Sequence, residues 1–426
     1  MKKIVVIGGG FAGLSAASFL SNTGFKIELL EASPKLGGRA YSFVDNETDA
    51  VIDNGQHILM GCYKETLKFF KLIGAEKKLS KQSHLSLNIV KENFELCPLT
   101  VSGILYPFNL ISAVINYSAF SSYEKLLFIK FFAKMYLYTN KDLKKMTVIE
   151  WLLKEKQTVN LIKSFWEILA LAALNTNIKK ASANIFATVL KEIFFRGNNA
   201  SVIIFPSLGL TETYCDDALR FIEDKGGRIS FSEPVIKLNA QDNVIKEIVT
   251  TKKVISDFDY IITAIPLFAL KKIVTEKNFL PGLEFDYSSI LTAHLFLKEN
   301  RFANTFYGLI DSPVQWVFNK GTHLTVVISN ADKFMNVSQE EIIELILNEL
   351  KKYIHLERSE ISTYKIIKEK RAAFIPSNDI LDKRPSAYTP FKNFFLAGDW
   401  TDTGLPATIE SAVKSGTLAS EAARNL

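Results

Sequence analysis

The chain has 426 residues, of which 48% are hydrophobic and 23% are charged, and its formal net charge is +6. This length predicts two domains, and the composition excludes disordered, collagen-like and disulfide-scaffold proteins. The charge comes from scattered lysines, which argues against a nucleic-acid site and leaves only a weak attraction to anionic lipid. The three cysteines, Cys62, Cys97 and Cys215, are far apart, so we predict a reduced, cytoplasmic protein without a disulfide framework or a metal site.

Phenylalanine is unusually frequent, with 32 residues. Only nine of the 51 basic residues are Arg, and a chain rich in both Lys and Phe indicates AT-rich codon use. A large apolar substrate site is the other explanation. The composition alone leaves both open.

The N-terminal segment predicts a unit of strand, helix and strand. Residues 2–7, 11–22 and 26–31 show the apolar patterns of a strand, a small-residue helix and a second strand. The apolar run at the start is too short for the core of a signal peptide. Eight of the 21 glycines lie in the first 55 residues, so the backbone is expected to approach a ligand here.

Three of these glycines form a dinucleotide-binding motif in its required place, after a strand and at the start of a helix. Gly8 makes the tight turn, Gly10 lets the backbone approach a pyrophosphate, and Gly13 lets the helix pack on the strand. The free N–H groups of the first helical turn, at Phe11 and Ala12, favour a phosphate. The motif therefore predicts dinucleotide binding rather than a purely structural turn.

Glu31 ends the second strand, 18 residues beyond Gly13, where such an acid binds a ribose hydroxyl. The chain continues from Glu31 and Ala32 into a Gly-Gly-Arg loop at Gly38 and Arg39. This arrangement resembles the flavin-containing amine oxidase and phytoene desaturase superfamily, in which the loop wraps FAD. In that interpretation Arg39 offers paired donors to a phosphate. The alternative is a surface cation without a ligand.

The region from residue 75 to about residue 195 is predicted to be helical and aromatic. Residues 96–123 carry no charge over 28 positions, which exceeds the roughly 20 needed to span a bilayer. Pro98 and Pro107 interrupt this stretch, so a true span is the least favoured of three interpretations. The other two are a buried helix of the substrate domain and a surface helix in contact with a membrane.

The second half of the chain predicts mainly strands and no repeats, so the two domains are expected to be interleaved. Strands are predicted at residues 228–238, 244–251, 253–256, 260–264, 291–297, 315–318, 324–329, 364–368 and 394–397, and helices at 338–353 and 407–424. The predicted fold class is α/β, with a Rossmann-type, glutathione-reductase-like FAD-binding domain interleaved with an α+β substrate domain. We assign residues 1–75, 200–268 and 388–426 to the former and residues 76–199 and 269–387 to the latter.

The C-terminal segment extends the resemblance. Gly398 and Asp399 follow the last strand, and Asp399 resembles the superfamily's acid that binds the ribityl chain or phosphate of FAD. Pro406, Ala407 and Thr408 are predicted to begin the final helix, with Pro in its first turn. The N-terminus of that helix would face the flavin and stabilise negative charge on it.

Further matches narrow the resemblance. Val235 resembles the residue whose backbone meets the adenine of FAD. Residues 53–57, 315–318, 371–374 and 398–410 resemble the squalene-associated FAD-dependent enzymes, the hydroxysqualene dehydroxylases. Membership implies that reduced FAD converts hydroxysqualene to squalene and water, with an electron donor that the sequence does not identify.

Two other classes of function stay open. A carotenoid desaturase or an amine oxidase of the same fold would oxidise its substrate. Rab GDP-dissociation inhibitors, which carry prenyl chains, share the fold, but the flavin segment at Gly398 and Asp399 argues against a carrier. A long isoprenoid substrate also implies peripheral contact with the inner face of the cytoplasmic membrane.

The departing hydroxyl needs an acid, and His57 is the first candidate because burial can tune a histidine for proton transfer. Asp53 is the second catalytic candidate and Glu410 a further one. His57 is equally compatible with a structural histidine bonded to backbone. Trp316 is predicted to line the pocket, and four histidines are predicted to be isolated and structural: His84, His294, His323 and His355.

Overall fold

The computed structural model of the chain describes residues 2–274, 276 and 279–425. Within these ranges the strands are β1 (Lys3–Ile7), β2 (Lys26–Leu30), β3 (Ser42–Val44), β4 (Val51–Asp53), β5 (Leu59–Met60), β6 (Leu79–Lys81), β7 (Ser86–Lys91), β8 (Glu95–Thr100), β9 (Ile203–Pro206), β10 (Arg228–Ser230), β11 (Val235–Gln241), β12 (Val244–Thr250), β13 (Val254–Ile255), β14 (Tyr260–Thr263), β15 (Tyr287–Leu297), β16 (Phe306–Leu309), β17 (Trp316–Asn319), β18 (His323–Ser329), β19 (Ile361–Phe374) and β20 (Phe394–Leu396).

The helices of the same described ranges are α1 (Phe11–Ser21), α2 (Lys64–Leu72), α3 (Phe108–Asn116), α4 (Ser122–Met135), α5 (Asn140–Leu143), α6 (Val148–Lys154), α7 (Val159–Leu161), α8 (Glu167–Leu174), α9 (Ala183–Phe194), α10 (Asp216–Asp224), α11 (Leu267–Ile273), α12 (Gln339–Ile354), α13 (Asn378–Leu381) and α14 (Ile409–Arg424). Two further turns, Ile162–Trp166 and Thr211–Cys215, are π-helical.

A parallel sheet carries the N-terminal motif. Its strand order is β10-β2-β1-β14-β20, and every neighbouring pair is parallel. Both faces are covered, because Ile4 and Val6 pack with α1 and α14 while Val5 and Ile7 pack with α11 and the small antiparallel sheet β11-β12-β13. Burial on both faces explains the continuous apolar runs of these strands. The predicted unit of strand, helix and strand is confirmed.

The single strand predicted at residues 228–238 is wrong. Its first part is β10 in the parallel sheet, and its last part begins β11 in the antiparallel sheet. The chain turns between them at Ser232, whose φ of 49° is left-handed. Pro234 also lacks an N–H group for a strand ladder. Two backbone constraints therefore divide one apolar pattern between two sheets.

The second large sheet has the strand order β19-β15-β18-β17-β16-β7-β8. It is antiparallel except between β16 and β7. Strands β6, β7 and β8 lie where helices were predicted, so that prediction is wrong for residues 79–100. Pairing with β16, about 200 residues later in the chain, overrides the local pattern. Helix α12 covers one face of the sheet.

The helical layer, α3 to α9, packs on the other face of this sheet. Its core is aromatic, with Phe128, Phe131, Trp151 and Trp166 buried against one another. The uncharged stretch at residues 96–123 divides between β8 and α3. In the described part of the chain no helix is long and apolar enough to cross a membrane.

The chain passes repeatedly between the two large sheets. The parallel sheet takes its strands from residues 3–30, 228–263 and 394–396, and the second sheet takes its strands from residues 86–100 and 287–374. The two layers are therefore interleaved, as predicted. The individual domain boundaries stay a prediction.

Candidate cofactor and active site

The turn between β1 and α1 collects free backbone groups at the edge of the parallel sheet. Gly8 has a φ of +103°, and a Cβ on Gly13 would lie 1.8 Å from the Gly8 carbonyl oxygen, so only glycine fits at position 13. No described side chain caps α1, which leaves the N–H groups of Phe11 and Ala12 free for a phosphate. At the end of β14, the buried hydroxyl of Thr263 also has no partner among the described residues.

Glu31 follows β2 and binds back to the glycine loop. Its carboxylate accepts a hydrogen bond from the backbone N–H of Gly9 at 2.6 Å. Its carbonyl oxygen accepts one from the N–H of Glu233 at 2.9 Å, which brings the nearby Val235 to the same edge. Ala32 is exposed beside it. The residues predicted for ribose and adenine are therefore neighbours.

The Gly-Gly-Arg loop folds over the glycine turn. A Cβ on Gly38 would lie 3.2 Å from the Cα of Gly10, so the two glycines face each other across a gap that side chains would narrow. Arg39 donates from Nη2 to Asp399 Oδ1 at 2.7 Å and from Nη1 to the carbonyl oxygen of Ala372 at 2.9 Å. The Asp399 carboxylate raises the pKa of Arg39. Two distant predicted residues thus meet in one ion pair.

A cavity of about 370 Å³ opens beside this pair. Arg39 and Asp399 form part of its wall, and the rings of Phe268, Tyr287 and Trp400 form another part. Charged donors next to aromatic faces suit a ligand that carries both a phosphate and a ring system. The gap between Gly10 and Gly38, the uncapped N-terminus of α1 and this cavity together fit a dinucleotide.

Arg384, which no sequence motif marks, holds the C-terminal segment in place. The side chain is buried and donates to the backbone carbonyls of Asp399, Trp400, Thr401 and Leu405. Burial lowers the pKa of Arg384 to about 10. The guanidinium therefore fixes the backbone around Asp399. A lone arginine before a short strand carries no local signal of this role.

The start of α14 differs from the prediction. Gly398 follows β20 with a φ of +134°, and the chain then reaches the helix through an irregular loop. The Thr408 hydroxyl accepts a hydrogen bond from a backbone N–H three residues later, so Thr408 is the N-cap. The prediction of Pro406 and Ala407 in the first helical turn is wrong, because both residues precede this cap.

Tyr214 supports the Gly-Gly-Arg loop from its other side. Its hydroxyl donates to the carbonyl of Ala40 at 2.7 Å and lies 3.1 Å from the carbonyl of Gly37. Its ring stacks on Phe11, with centroids 3.8 Å apart. Tyr214 lies in the π-helical turn Thr211–Cys215, a geometry frequent at functional sites. One tyrosine in a helical pattern offers no sequence signal of these contacts.

His57 and its neighbour Gln56 present buried polar atoms without partners. Nε2 of His57 and Oε1 of Gln56 have no hydrogen bond among the described residues. Burial, together with the charges of Lys320 and Arg39, lowers the pKa of His57 to about 4. The imidazole is therefore neutral at pH 7. Leaving a buried polar atom unpaired costs about 1–3 kcal/mol, so these two atoms indicate a place for a polar group of a ligand.

Asp53 belongs to a buried polar cluster. Its Oδ1 accepts from the N–H of Leu210 at 3.1 Å, its Oδ2 lies 4.0 Å from Lys320 Nζ, and burial raises its pKa. His294 Nε2 donates to the Asp53 carbonyl at 3.0 Å, and the rings of His294 and His323 are 5.3 Å apart. The prediction that these two histidines are isolated is wrong, because β15 and β18 pair side by side.

Glu410, the third candidate acid, is engaged elsewhere. Its carboxylate accepts hydrogen bonds from the N–H groups of Glu65 at 3.0 Å and Thr66 at 2.9 Å, and from the Thr66 hydroxyl at 2.7 Å. Both oxygens therefore cap the start of α2. Of the three candidate acids, Asp53 is the one left for proton donation, since His57 is neutral at pH 7.

An apolar cluster of packed side chains adjoins these polar groups in the chain, through Ile58. Trp316 lies over Gly308, where a Cβ would be 2.9 Å from the indole ring, and its buried Nε1 has no partner among the described residues. Ile58, next to His57, packs against the same core as Trp316 and Phe306. The unpaired polar atoms of Gln56 and His57 thus lie next in the chain to a residue that packs against the aromatic cluster.

The family model of flavin-containing amine oxidoreductases matches residues 11–424. The chain is 26% identical to the hydroxysqualene dehydroxylase of Zymomonas mobilis subsp. mobilis and 28% identical to that of Sinorhizobium fredii, with 98% or more of each chain covered. It is 25% identical to the 15-cis-phytoene desaturase of an Oncidium hybrid cultivar, over 99% of this chain and 77% of that enzyme. An oxidoreductase structure from Methanosarcina mazei shares the fold, with a TM-score of 0.73 at 17% identity over 98% of this chain and 100% of that one.

Proposed function

Because this chain belongs to the family of flavin-containing amine oxidoreductases and is an FAD-dependent oxidoreductase, we propose that it converts hydroxysqualene to squalene. The observation that carries this proposal is the position of the unpaired Gln56 and His57 atoms beside Ile58, which packs against the aromatic cluster. A long isoprenoid with one hydroxyl group needs an extensive apolar wall and few polar contacts. Full-length relatives with this activity support the same substrate.

FAD is the cofactor, and the chain has the groups to hold it. We assign its phosphates, ribose, adenine and flavin to Gly8, Gly10, Phe11, Ala12, Gly13, Glu31, Ala32, Gly38, Arg39, Val235, Gly398, Asp399, Pro406, Ala407 and Thr408. When bound and reduced, FAD supplies a hydride, so that the alcohol, the hydride and one proton become the hydrocarbon and water.

Asp53 and His57 are the proposed catalytic residues. With its pKa lowered to about 4, His57 is neutral at pH 7, so it serves to hold the substrate hydroxyl through Nε2. The raised pKa of Asp53 favours this carboxyl as the proton source. The aromatic wall excludes water and stabilises the positive charge that develops when the hydroxyl leaves.

The decisive experiment supplies hydroxysqualene to the anaerobically reduced holoenzyme in detergent. We expect the flavin to reoxidise as squalene forms, in equal amounts by absorbance and mass spectrometry. Reduced enzyme that neither reoxidises nor yields squalene would exclude this reaction.

Replacing His57 with Ala is expected to lower kcat by about 100-fold, in the range typical of a lost catalytic contact, while FAD stays bound. His57→Gln keeps a polar group of similar reach and is expected to recover part of the rate. Asp53→Asn tests the proton source and should shift the pH dependence of kcat as well as lower it. Wild-type turnover by His57→Ala with full flavin content would remove this residue from the mechanism.

A carotenoid desaturase is the second candidate, and the full-length match of this chain to a phytoene desaturase favours it over an amine oxidase. Oxidised holoenzyme incubated with phytoene distinguishes the two reactions. Conversion of phytoene, without dehydroxylation of hydroxysqualene by the reduced enzyme, would favour the desaturase. Either substrate is insoluble in water, so a peripheral location on the inner face of the cytoplasmic membrane is part of the proposal.

A further inference from the structure

We propose that the outer surface of the helical layer is a docking face for an anionic lipid bilayer. The proposal rests on the proposed function, because an isoprenoid substrate dissolves in the bilayer. An enzyme that acts on it needs a surface that contacts the bilayer. The docking face consists of exposed side chains in the loop before α3, in α3 itself and in and after α4: Ile104, Leu105, Phe108, Ile115, Leu126, Tyr136 and Leu137.

Exposed apolar side chains are concentrated in this region. Among the described residues, 19 large hydrophobic side chains are exposed, and ten of them lie between residues 104 and 159. Leu105 is 82% exposed, Leu137 79% and Phe108 64%. Single exposed apolar residues are ordinary, but a cluster of this kind marks a surface that contacts something apolar.

Helix α3 exposes apolar side chains where a water-facing helix would expose polar ones. It contains no charged residue, and Phe108 and Ile115 project from its exposed side. A surface helix of a water-soluble protein normally places polar residues there. On α4, Leu126 and Lys130 are exposed one helical turn apart, and the exposed Leu137 follows the end of the helix.

The two helices form one continuous surface. The Tyr106 hydroxyl donates to the carbonyl of Phe194, and the Tyr136 ring lies 4.5 Å from that of Phe195. The loop before α3 and the end of α4 therefore meet over the end of α9. Beneath them, Phe132 packs edge-on against Phe194 and leads into the aromatic core. The docking face thus covers the outer side of the same aromatic cluster that Ile58 and Trp316 pack against.

Charge selects a bilayer with anionic headgroups as the occupant. Residues 101–160 contain eight Lys and four Asp or Glu, a net charge of +4 out of +6 for the whole chain. All four acids are engaged within this region: Glu124 accepts from Thr158, Asp142 from Thr139 and Glu150 from Thr147, and Glu155 pairs with Lys134 at 2.9 Å. Lysines at the edge of an apolar face can keep their ammonium groups at the headgroup level.

The test uses purified holoenzyme and phosphatidylcholine vesicles with and without phosphatidylglycerol. We expect co-sedimentation with the anionic vesicles, weakened by salt. The combined changes Leu105→Ser, Phe108→Ser and Leu137→Ser should lower the partition coefficient by roughly 100-fold or more. The control, Val44→Ser with Ile236→Ser and Val254→Ser, alters three apolar residues elsewhere that are 51–58% exposed and should bind as the wild type does.

A second variant tests the charge. Lys130→Gln with Lys141→Gln and Lys145→Gln should lower binding to anionic vesicles by roughly 100-fold and leave binding to neutral vesicles unchanged. Wild-type protein that binds neither vesicle would overturn the proposal, as would serine variants that bind like wild type. Self-association that depends on the docking face, without vesicle binding, would assign the face to a second copy of the chain.

The detergent assay separates this proposal from the proposed function. The serine variants should keep wild-type flavin content, thermal stability and squalene formation in detergent, where no bilayer is needed. Squalene formation without vesicle binding would overturn the docking face alone. Vesicle binding without squalene formation would overturn the reaction alone.

Discussion

Gly13→Ala is expected to destabilise the protein by about 3 kcal/mol or more and to abolish FAD binding, whereas Gly10→Ala should abolish FAD binding alone. A Cβ at position 13 would lie 1.8 Å from the Gly8 carbonyl oxygen, so β1 and α1 would have to separate. A Cβ at position 10 meets nothing nearer than 3.7 Å, and its φ of −83° suits any residue. That methyl group would instead occupy the gap toward Gly38.

Denaturant unfolding of the flavin-free proteins and titration with FAD separate the two effects. Gly103→Ala is the matched control, because a Cβ there has no neighbour within 4 Å and no positive φ is involved. Gly103→Ala should leave the free energy of unfolding and the free energy of FAD binding within about 0.5 kcal/mol of the wild-type values. Tight FAD binding by Gly10→Ala would show that the cofactor does not lie between the two facing glycines.

Arg384→Met should cost about 3–5 kcal/mol of stability and weaken FAD binding by more than tenfold. The change leaves four backbone carbonyls, those around Asp399 among them, without their shared donor. The loss of FAD affinity follows because the same backbone positions Asp399 opposite Arg39.

Lys383→Met is the control, since this neighbouring side chain is exposed. Its replacement should change neither the stability of the protein nor its affinity for FAD. Thermal unfolding and FAD titration measure both variants. A loss of less than about 1 kcal/mol in Arg384→Met would mean that water replaces the guanidinium at these carbonyls. The C-terminal segment would then keep its conformation without the hydrogen bonds from Arg384.

Short-range sequence patterns predicted the N-terminal part of the parallel sheet well. The first strand, the small-residue helix and the second strand lie within a residue or two of their predicted bounds, because continuous apolar runs and a glycine turn encode them within 30 residues. Glu31 lies beside the glycine turn, where it accepts from the Gly9 N–H, and its contact with a ribose hydroxyl stays a prediction. The same patterns failed at residues 79–100, where pairing with β16 decides the structure.

The candidate site was only partly predictable for the same reason. His57 and Asp53 stood out as titratable residues near a predicted flavin loop, but their states come from their neighbours. The pKa of His57 depends on burial and on Lys320, far along the chain, and Asp53 meets His294 only through the second large sheet. Tyr214 and Arg384 donate hydrogen bonds to backbone carbonyls. Every residue has a backbone carbonyl, so these contacts produce no recognisable sequence motif.

The amino-acid sequence by itself determined that the chain binds a dinucleotide, because recognition of a pyrophosphate by backbone depends on glycines a few residues apart. It also determined that a long uncharged stretch needed an apolar environment. Only the tertiary structure decided how that stretch divides between the edge strand β8, where only Cys97 and Leu99 are buried, and the exposed helix of the docking face. It alone paired Arg39 with Asp399 across 360 positions, since the energy of such contacts depends on distance in space and not along the chain.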